Sequence, residues 1–190
     1  MTRIISGAAG SLRLGSPAKS TRPTSDRIRE SIFSRLESRD ILSGAVVLDL
    51  YAGTGALALE AVSRGAVAAL LVERDGKAAA VCVQNGQLIQ KALAKQEIEC
   101  EIKVVNKAVA SYLSSAGHKF DLVFIDPPYE IANAEVEENL VGLLPLLNED
   151  ATVVVERSSR TGALNLPEGF ELEDSKNYGD TEVFWLSLSA

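Results

Sequence analysis

Val46-Val47-Leu48-Asp49-Leu50-Tyr51-Ala52-Gly53-Thr54-Gly55 is an apolar run that takes in one carboxylate and then breaks into a glycine turn. The run, bounded by Gly44 and Gly53, predicts a buried strand over 46–50, and the residues after Gly55 predict a helix over 56–63. Gly53 and Gly55 let the chain turn sharply and bring its backbone close to a ligand with no Cβ in the way. Extended to Ala58, the stretch reads G-x-G-x-x-A, which alone is a weak dinucleotide signal. Asp49 lies ahead of the first glycine, where its carboxylate would face the non-adenine end of a ligand. A carboxylate there suits a cationic amino-acid moiety better than a pyrophosphate. S-adenosylmethionine carries an ammonium and a sulfonium and no phosphate, so it is the cofactor the stretch favours. A strand-to-helix turn that binds nothing is the competing reading.

Outward from this turn the pattern alternates. Strands are expected over 68–73, 101–105, 122–125 and 152–155, separated by helices over 76–94, 108–113 and 134–144. Strands that read as continuous apolar runs between helices imply βαβ units and a parallel sheet covered on both faces. Two last strands, 170–174 and 182–188, have only Tyr178-Gly179-Asp180 and its neighbours between them and no helix. They predict an antiparallel hairpin closing the sheet. Before the first strand, Thr24-Ser25-Asp26 offers caps for a helix with Ile28, Ile32, Phe33 and Leu36 on one face. Ile4-Ile5 and Leu12-Arg13-Leu14 flank Gly7 to Gly10 and read as a short hairpin. The organisation expected is a hairpin and basic arm over 1–24 and an α/β domain over 25–190.

Val72-Glu73-Arg74 ends the second strand about 20 residues beyond the glycines, where an acidic side chain takes the ribose hydroxyls of an adenosine. NAD enzymes and methyltransferases share that position, so it supports an adenosyl group without choosing between them. Phe124-Ile125-Asp126-Pro127-Pro128-Tyr129 makes the choice. It follows a buried strand at the carboxyl edge, where open α/β sheets hold their ligands. The prolines fix φ and remove two backbone donors, leaving carbonyls that only accept. An exocyclic amine has two hydrogens and needs two acceptors, which the Asp126 carboxylate and the Pro127 carbonyl supply. Tyr129 offers an aromatic face to a base, worth about 1–3 kcal/mol by analogy with single-strand platforms. A proline turn with Tyr129 as packing is the alternative.

Net charge is −7, but residues 1–29 hold six basic side chains against Asp26. That segment carries +5 and the remainder −12. Such asymmetry describes either a basic arm for phosphates on an acidic body or a solvated terminus with no partner. Screening limits the body's repulsion to about 8 Å at physiological salt. The longest apolar run, Gly65 to Val72, is far shorter than the roughly 18 residues of a membrane span, and no signal-like segment opens the chain. Cys82 and Cys100 form no ligand spacing, and together these features point to the cytoplasm. His118 is the only histidine, so neither a His-metal site nor a Ser-His-Asp triad is expected and no metal is assigned.

Arg22-Pro23-Thr24-Ser25-Asp26-Arg27-Ile28-Arg29-Glu30-Ser31-Ile32-Phe33, the hairpin before it, Val72-Glu73, Asp126 to Tyr129 and Tyr178-Gly179-Asp180-Thr181 follow one another in a recognisable order. They resemble the bacterial small-subunit ribosomal RNA guanine-N2 methyltransferase family over nearly the whole chain. The resemblance implies a Rossmann-like class I methyltransferase fold with a seven-stranded, mostly parallel sheet and a monomeric enzyme. It also implies S-adenosylmethionine as cofactor and a guanine of 16S ribosomal RNA, in a 30S subunit or assembly intermediate, as target. Asp126, Pro127 and Tyr129 become the catalytic candidates. Asp49, Tyr51, Ala52, Gly53, Thr54, Gly55, Glu73, Arg74 and Asn106 become the cofactor candidates. Arg3, Arg13, Arg22, Arg27 and Arg29 become the RNA contacts, which favours the basic-arm reading. One departure stands at Val105-Asn106-Lys107-Ala108, where many relatives use an acidic residue for adenine. Here Asn106 or the backbone alone would recognise it. A DNA adenine methyltransferase, a protein-glutamine methyltransferase and a silent RNA-binding assembly factor are the competing functions.

Overall fold

The computed structural model describes residues 2–16 and 25–189. In chain order the main elements are α1 (Asp26–Ser38), β1 (Val46–Leu50), α2 (Ala56–Ser63), β2 (Ala68–Val72), α3 (Gly76–Ala94) and β3 (Glu101–Val105). They continue as α4 (Val109–Leu113), β4 (Phe120–Ile125), α5 (Asn133–Leu143), β5 (Leu147–Ser158), β6 (Phe170–Asn177) and β7 (Thr181–Leu188). The strands form one sheet in the order β3-β2-β1-β4-β5-β7-β6. All pairs from β3 to β5 are parallel, and β7 joins β5 and β6 antiparallel. The expected seven-stranded α/β fold is therefore present. No helix among the described residues is long and apolar enough to cross a membrane.

Alternation along the strands divides the core. Val47, Leu122, Phe124 and Val154 pack with α1, α2 and α3 on one face of the sheet. Leu48, Leu50, Val123, Ile125, Val153 and Val155 pack with α4 and α5 on the other. Asp49, two residues past Val47, shares the α2 face and accepts a hydrogen bond from Ala58 N at 3.2 Å. Several strands are longer than the sequence suggests, β5 and β6 by the most. β5 begins at Leu147, before the polar Asn148-Glu149-Asp150, and β6 continues to Asn177. β6 is exposed along nearly all its length, so hydrogen bonding to β7, not apolar alternation, makes it a strand.

The N-terminal hairpin forms around an antiparallel Arg3–Arg13 bridge, with Ile4 N bonded to Leu12 O at 2.9 Å. Its inner side rests on α2. Glu60, fully buried, accepts from Ile5 N (2.7 Å), Ser6 N (3.0 Å) and Arg64 Nε (2.7 Å). Ser63 accepts from Ala9 N through Oγ (2.9 Å) and from Ala8 N through its carbonyl (2.7 Å). Gly7 (φ +82) must be glycine, because a Cβ would lie 2.0 Å from the Ser63 carbonyl oxygen. Replacing Glu60 by Ala would strand two backbone donors and leave Arg64, whose side chain is almost wholly buried, with only its outer pairing to Glu37 at 3.1 Å. We expect Glu60→Ala to lower stability by about 3–5 kcal/mol, measured by denaturant unfolding; a loss under about 1 kcal/mol would mean the hairpin is not held this way.

Candidate active site

A single cleft of roughly 1450 Å³ runs along the carboxyl ends of the strands. It exceeds the usual volume of a small-molecule pocket, about 300–1,000 Å³, and has room for a cofactor and an acceptor together. β1 delivers Asp49, Tyr51, Ala52, Gly53 and Thr54 to its wall, and β2 delivers Glu73 and Arg74. β4 delivers Asp126, Pro127 and Tyr129.

The turn after β1 is held in an unusual backbone conformation. Tyr51 (φ +67), Gly53 (φ +55) and Gly55 (φ +79) all lie in the left-handed region, which costs a residue with a Cβ such as Tyr51 about 1–3 kcal/mol. Gly55 does not line the cleft. It is required for packing, since a Cβ would sit 2.8 Å from Leu71 Cδ2 and 2.9 Å from Cys82 Sγ. Glu73 fixes the turn with both oxygens, Oε2 accepting from Gly53 N and Oε1 from Asp75 N, each at 2.8 Å. The backbone of the turn is thereby tied to the carboxylate that follows the neighbouring strand.

Asp49 is fully buried and its pKa is raised from 3.8 to about 8. Burial is the main cause; the Ala58 N–H opposes it, and the charges of Asp126 and Glu73 add to it. Three carboxylates thus share the floor of the cleft, an electrostatic arrangement that suits a cation. Glu156 is a further acidic side chain in the cleft wall, buried on β5 one step beyond the Ile125–Val155 register pair. The sequence reading passed over it, although it follows an apolar strand just as Asp126 does. Tyr178, Gly179 and Asp180, between β6 and β7, and Thr181, which opens β7, also line the cleft. Tyr129 is 54% exposed, so its ring is open to a planar partner.

Two candidates take structural places. Asn106 does not line the cleft; its side-chain amide donates to Glu73 O (2.8 Å) and Arg74 O (3.0 Å) and braces the loop after β2. Arg29 is only 1% exposed, donating to Arg3 O (2.8 Å) and Asp26 Oδ1 (2.7 Å), with Glu60 4.0 Å away. Its guanidinium lies inside the protein beneath the cleft wall, with Nε and Nη1 lacking a hydrogen-bond partner among the described residues, and is not exposed to a phosphate at the surface. Arg3, Arg13 and Arg27 are exposed, and Arg27 lies on the rim of the cleft. Arg22 falls outside the described residues.

Residues 2–187 match the model of the family described as conserved hypothetical protein 95. The chain belongs to that family. It is 33% identical over 178 residues to ribosomal RNA small subunit methyltransferase D of Escherichia coli (strain K12), covering 93% of this chain and 85% of that protein. The protein of the same name from Haemophilus influenzae is 30% identical, with 83% of this chain and 78% of that protein covered. Among solved structures, yhhF from Escherichia coli superposes with a TM-score of 0.82 at 30% identity, over 99% of this chain and 98% of that one.

The Asp49 shift has a consequence for stability. A carboxyl whose folded pKa lies above its unfolded value favours the folded state at low pH and loses that advantage as pH rises toward the folded pKa. In the cofactor-free protein, Asp49→Asn should therefore gain stability relative to the parent as pH is raised from about 4 to about 8. Urea midpoints at intervals across that window test it; a constant difference would place Asp49 in an ordinary solvated environment.

Proposed function

We propose that this protein transfers a methyl group from S-adenosylmethionine to the exocyclic N2 amine of a guanine in 16S ribosomal RNA. The observation that carries the reading is the meeting in one cleft of the Asp126-Pro127-Pro128-Tyr129 loop with the carboxylate-lined turn of β1 and β2. The relatives named as ribosomal RNA small subunit methyltransferases support the substrate class. The cofactor fits the residues present. Asp49, with no cation on it, is held largely protonated, and an ammonium or sulfonium nearby would restore its charge. Gly53 has no heavy atom within 4 Å of where a Cβ would stand, which leaves its backbone approachable. Glu73 would take the ribose hydroxyls, with Tyr51, Ala52, Thr54 and Arg74 around them.

When bound, S-adenosylmethionine supplies an electrophilic methyl group on sulfur. The guanine amine is a weak nucleophile because its lone pair is delocalised into the ring. Asp126 and the Pro127 carbonyl accept its two N–H bonds, favour the pyramidal nitrogen and orient the lone pair. As the N–C bond forms and the S–C bond breaks, positive charge grows on N2 and the Asp126 carboxylate stabilises it. The surplus proton then leaves N2 for Asp126 or water. Holding amine and methyl in line accounts for much of the remaining acceleration. Tyr129 would stack on the base, which must leave any helix at a cost of a few kcal/mol. Arg3, Arg13, Arg22 and Arg27 would hold the surrounding phosphates, with the protein acting as a monomer on a 30S subunit or an assembly intermediate.

Labelled methyl should enter 16S RNA or 30S subunits and be recovered as N2-methylguanosine. Label found only in DNA or in protein glutamine would overturn the reading. Asp126→Ala should lower transfer by about 10²–10³-fold while cofactor affinity changes little; parallel loss of both would move Asp126 to the cofactor side. Arg22→Ala with Arg27→Ala should weaken RNA binding and reduce the salt slope by about 0.7–0.9 per lost phosphate contact. An unchanged slope would remove the arm from the interface.

A further inference from the structure

The catalytic loop needs a holder, because the same prolines that strip it of donors also deprive it of backbone hydrogen bonds. After Pro128 the chain turns, with Ile131 N bonded to Pro128 O at 3.0 Å, and enters α5. Ala132, the N-cap of α5, provides no side-chain cap. What secures this entry is Arg157, on β5 and only 3% exposed. Its Nη2 donates to Ile131 O at 2.6 Å and its Nε to Asn133 Oδ1 at 2.9 Å. Asn133 in turn spends its amide hydrogens on the carbonyls of Thr161, Gly162 and Ala163, at 2.9–3.2 Å. One planar guanidinium thus pins the end of the catalytic loop and the first residue of α5 to the sheet.

The next turns of α5 reach the opposite side of the cleft. Asn139 donates through Nδ2 to the Tyr51 hydroxyl at 2.6 Å, and that hydroxyl donates to Glu135 at 3.3 Å. Tyr51 is the left-handed residue of the cofactor turn, and its phenol is kept neutral by a pKa raised to about 12, chiefly through burial. α5 therefore contacts both loops: the acceptor loop through Ile131, Asn133 and Arg157, and the cofactor turn through Asn139, Glu135 and Tyr51.

We propose that Arg157 is a positioning residue and that the first half of α5, clamped by it, is the strut setting the distance between methyl donor and acceptor amine. The inference rests on the amino-methyl-transfer reading above. Arg157 does not line the cleft, although its charge is felt at Asp126. It acts through Ile131 and Asn133, and its planar fork is what lets one side chain hold two acceptors at once. Lysine keeps the charge but not the fork, so it does not replace it.

The test uses Arg157→Lys, Arg157→Met and Asn133→Ala in the full chain, with parent and variants assayed side by side. Turnover per folded enzyme should fall about 10–10²-fold, as displacement of a reacting group by an ångström predicts. The dissociation constant for S-adenosylmethionine should stay within about twofold. If Arg157→Met fails to fold, the two milder variants decide. Amide exchange at Ile131 gives a second readout that needs no acceptor: it should accelerate in the variants while exchange in the β1 strand stays unchanged. Turnover near the parent's with unchanged exchange at Ile131 would overturn the strut, as would equal losses of turnover and cofactor affinity tracking the folded fraction. A parent inactive on guanine would defeat the reaction reading, and local exchange at Ile131 would then decide the strut by itself.

Discussion

A carboxylate buried at the end of a central strand is the constraint around which this protein is organised. Asp49 occupies the position where β1, the glycine turn and α2 meet, and burial pushes its carboxyl well above the usual carboxylate range. The alternation that sends Val47 and Phe124 to the same face of the sheet brings Asp49 and the residues past the end of β4 to the same side of the cleft. Acidic groups from neighbouring parallel strands are forced close together by the strand spacing, and the first of them responds by holding its proton. That is a poor arrangement for stability and a good one for receiving a cation.

The surrounding structure offsets this cost and holds the receptor in shape. Glu73 bonds the turn that follows β1, Asn106 bonds the loop that carries Glu73, and Gly55 lets α2 approach Leu71 and Cys82. Asn85 of α3, nearly buried, extends the connection to the N-terminal hairpin. It accepts from Gly15 N at 2.8 Å and donates to Gly15 O (3.1 Å) and Thr54 O (2.9 Å). The hairpin is thus attached at the turn after β1 by Asn85 and along α2 by Glu60 and Ser63. Gly15, near the end of the described hairpin segment, is thereby held next to the turn after β1.

Much of this was legible in the sequence because it follows from periodicity and from groups with few alternatives. Apolar runs between helices gave the strand count and the parallel core, and glycine at 53 and 55 marked a turn with left-handed residues. What escaped depends on partners distant in sequence. Arg29 looked like a phosphate ligand in a basic segment, yet its neighbours at helical spacing, Ile32 and Phe33, already placed it on the inner face of α1. Asn106 looked like an adenine contact because it ends a strand; its partners, the carbonyls of Glu73 and Arg74, appear only once β2 and β3 pair. Arg157 carried no local signal, since its value lies in Ile131 and Asn133 on a different element. The second half of β6 leaves no mark in the sequence, because an exposed edge strand has no hidden face to record in its residues.

If the buried Asp49 is the seat of a cation, binding must change its protonation. A cofactor that brings positive charge favours the carboxylate, so below a pKa of about 8 its arrival should expel a proton. The direct measurement is titration calorimetry of S-adenosylmethionine near neutral pH in two buffers of different ionisation enthalpy, on the parent and on Asp49→Asn. The account predicts net proton release and an affinity that rises toward about pH 8 in the parent, with the release gone in Asp49→Asn. Buffer-independent heats in the parent, with affinity flat across that range, would contradict it and would mean that Asp49 is not where the charge of the cofactor is met.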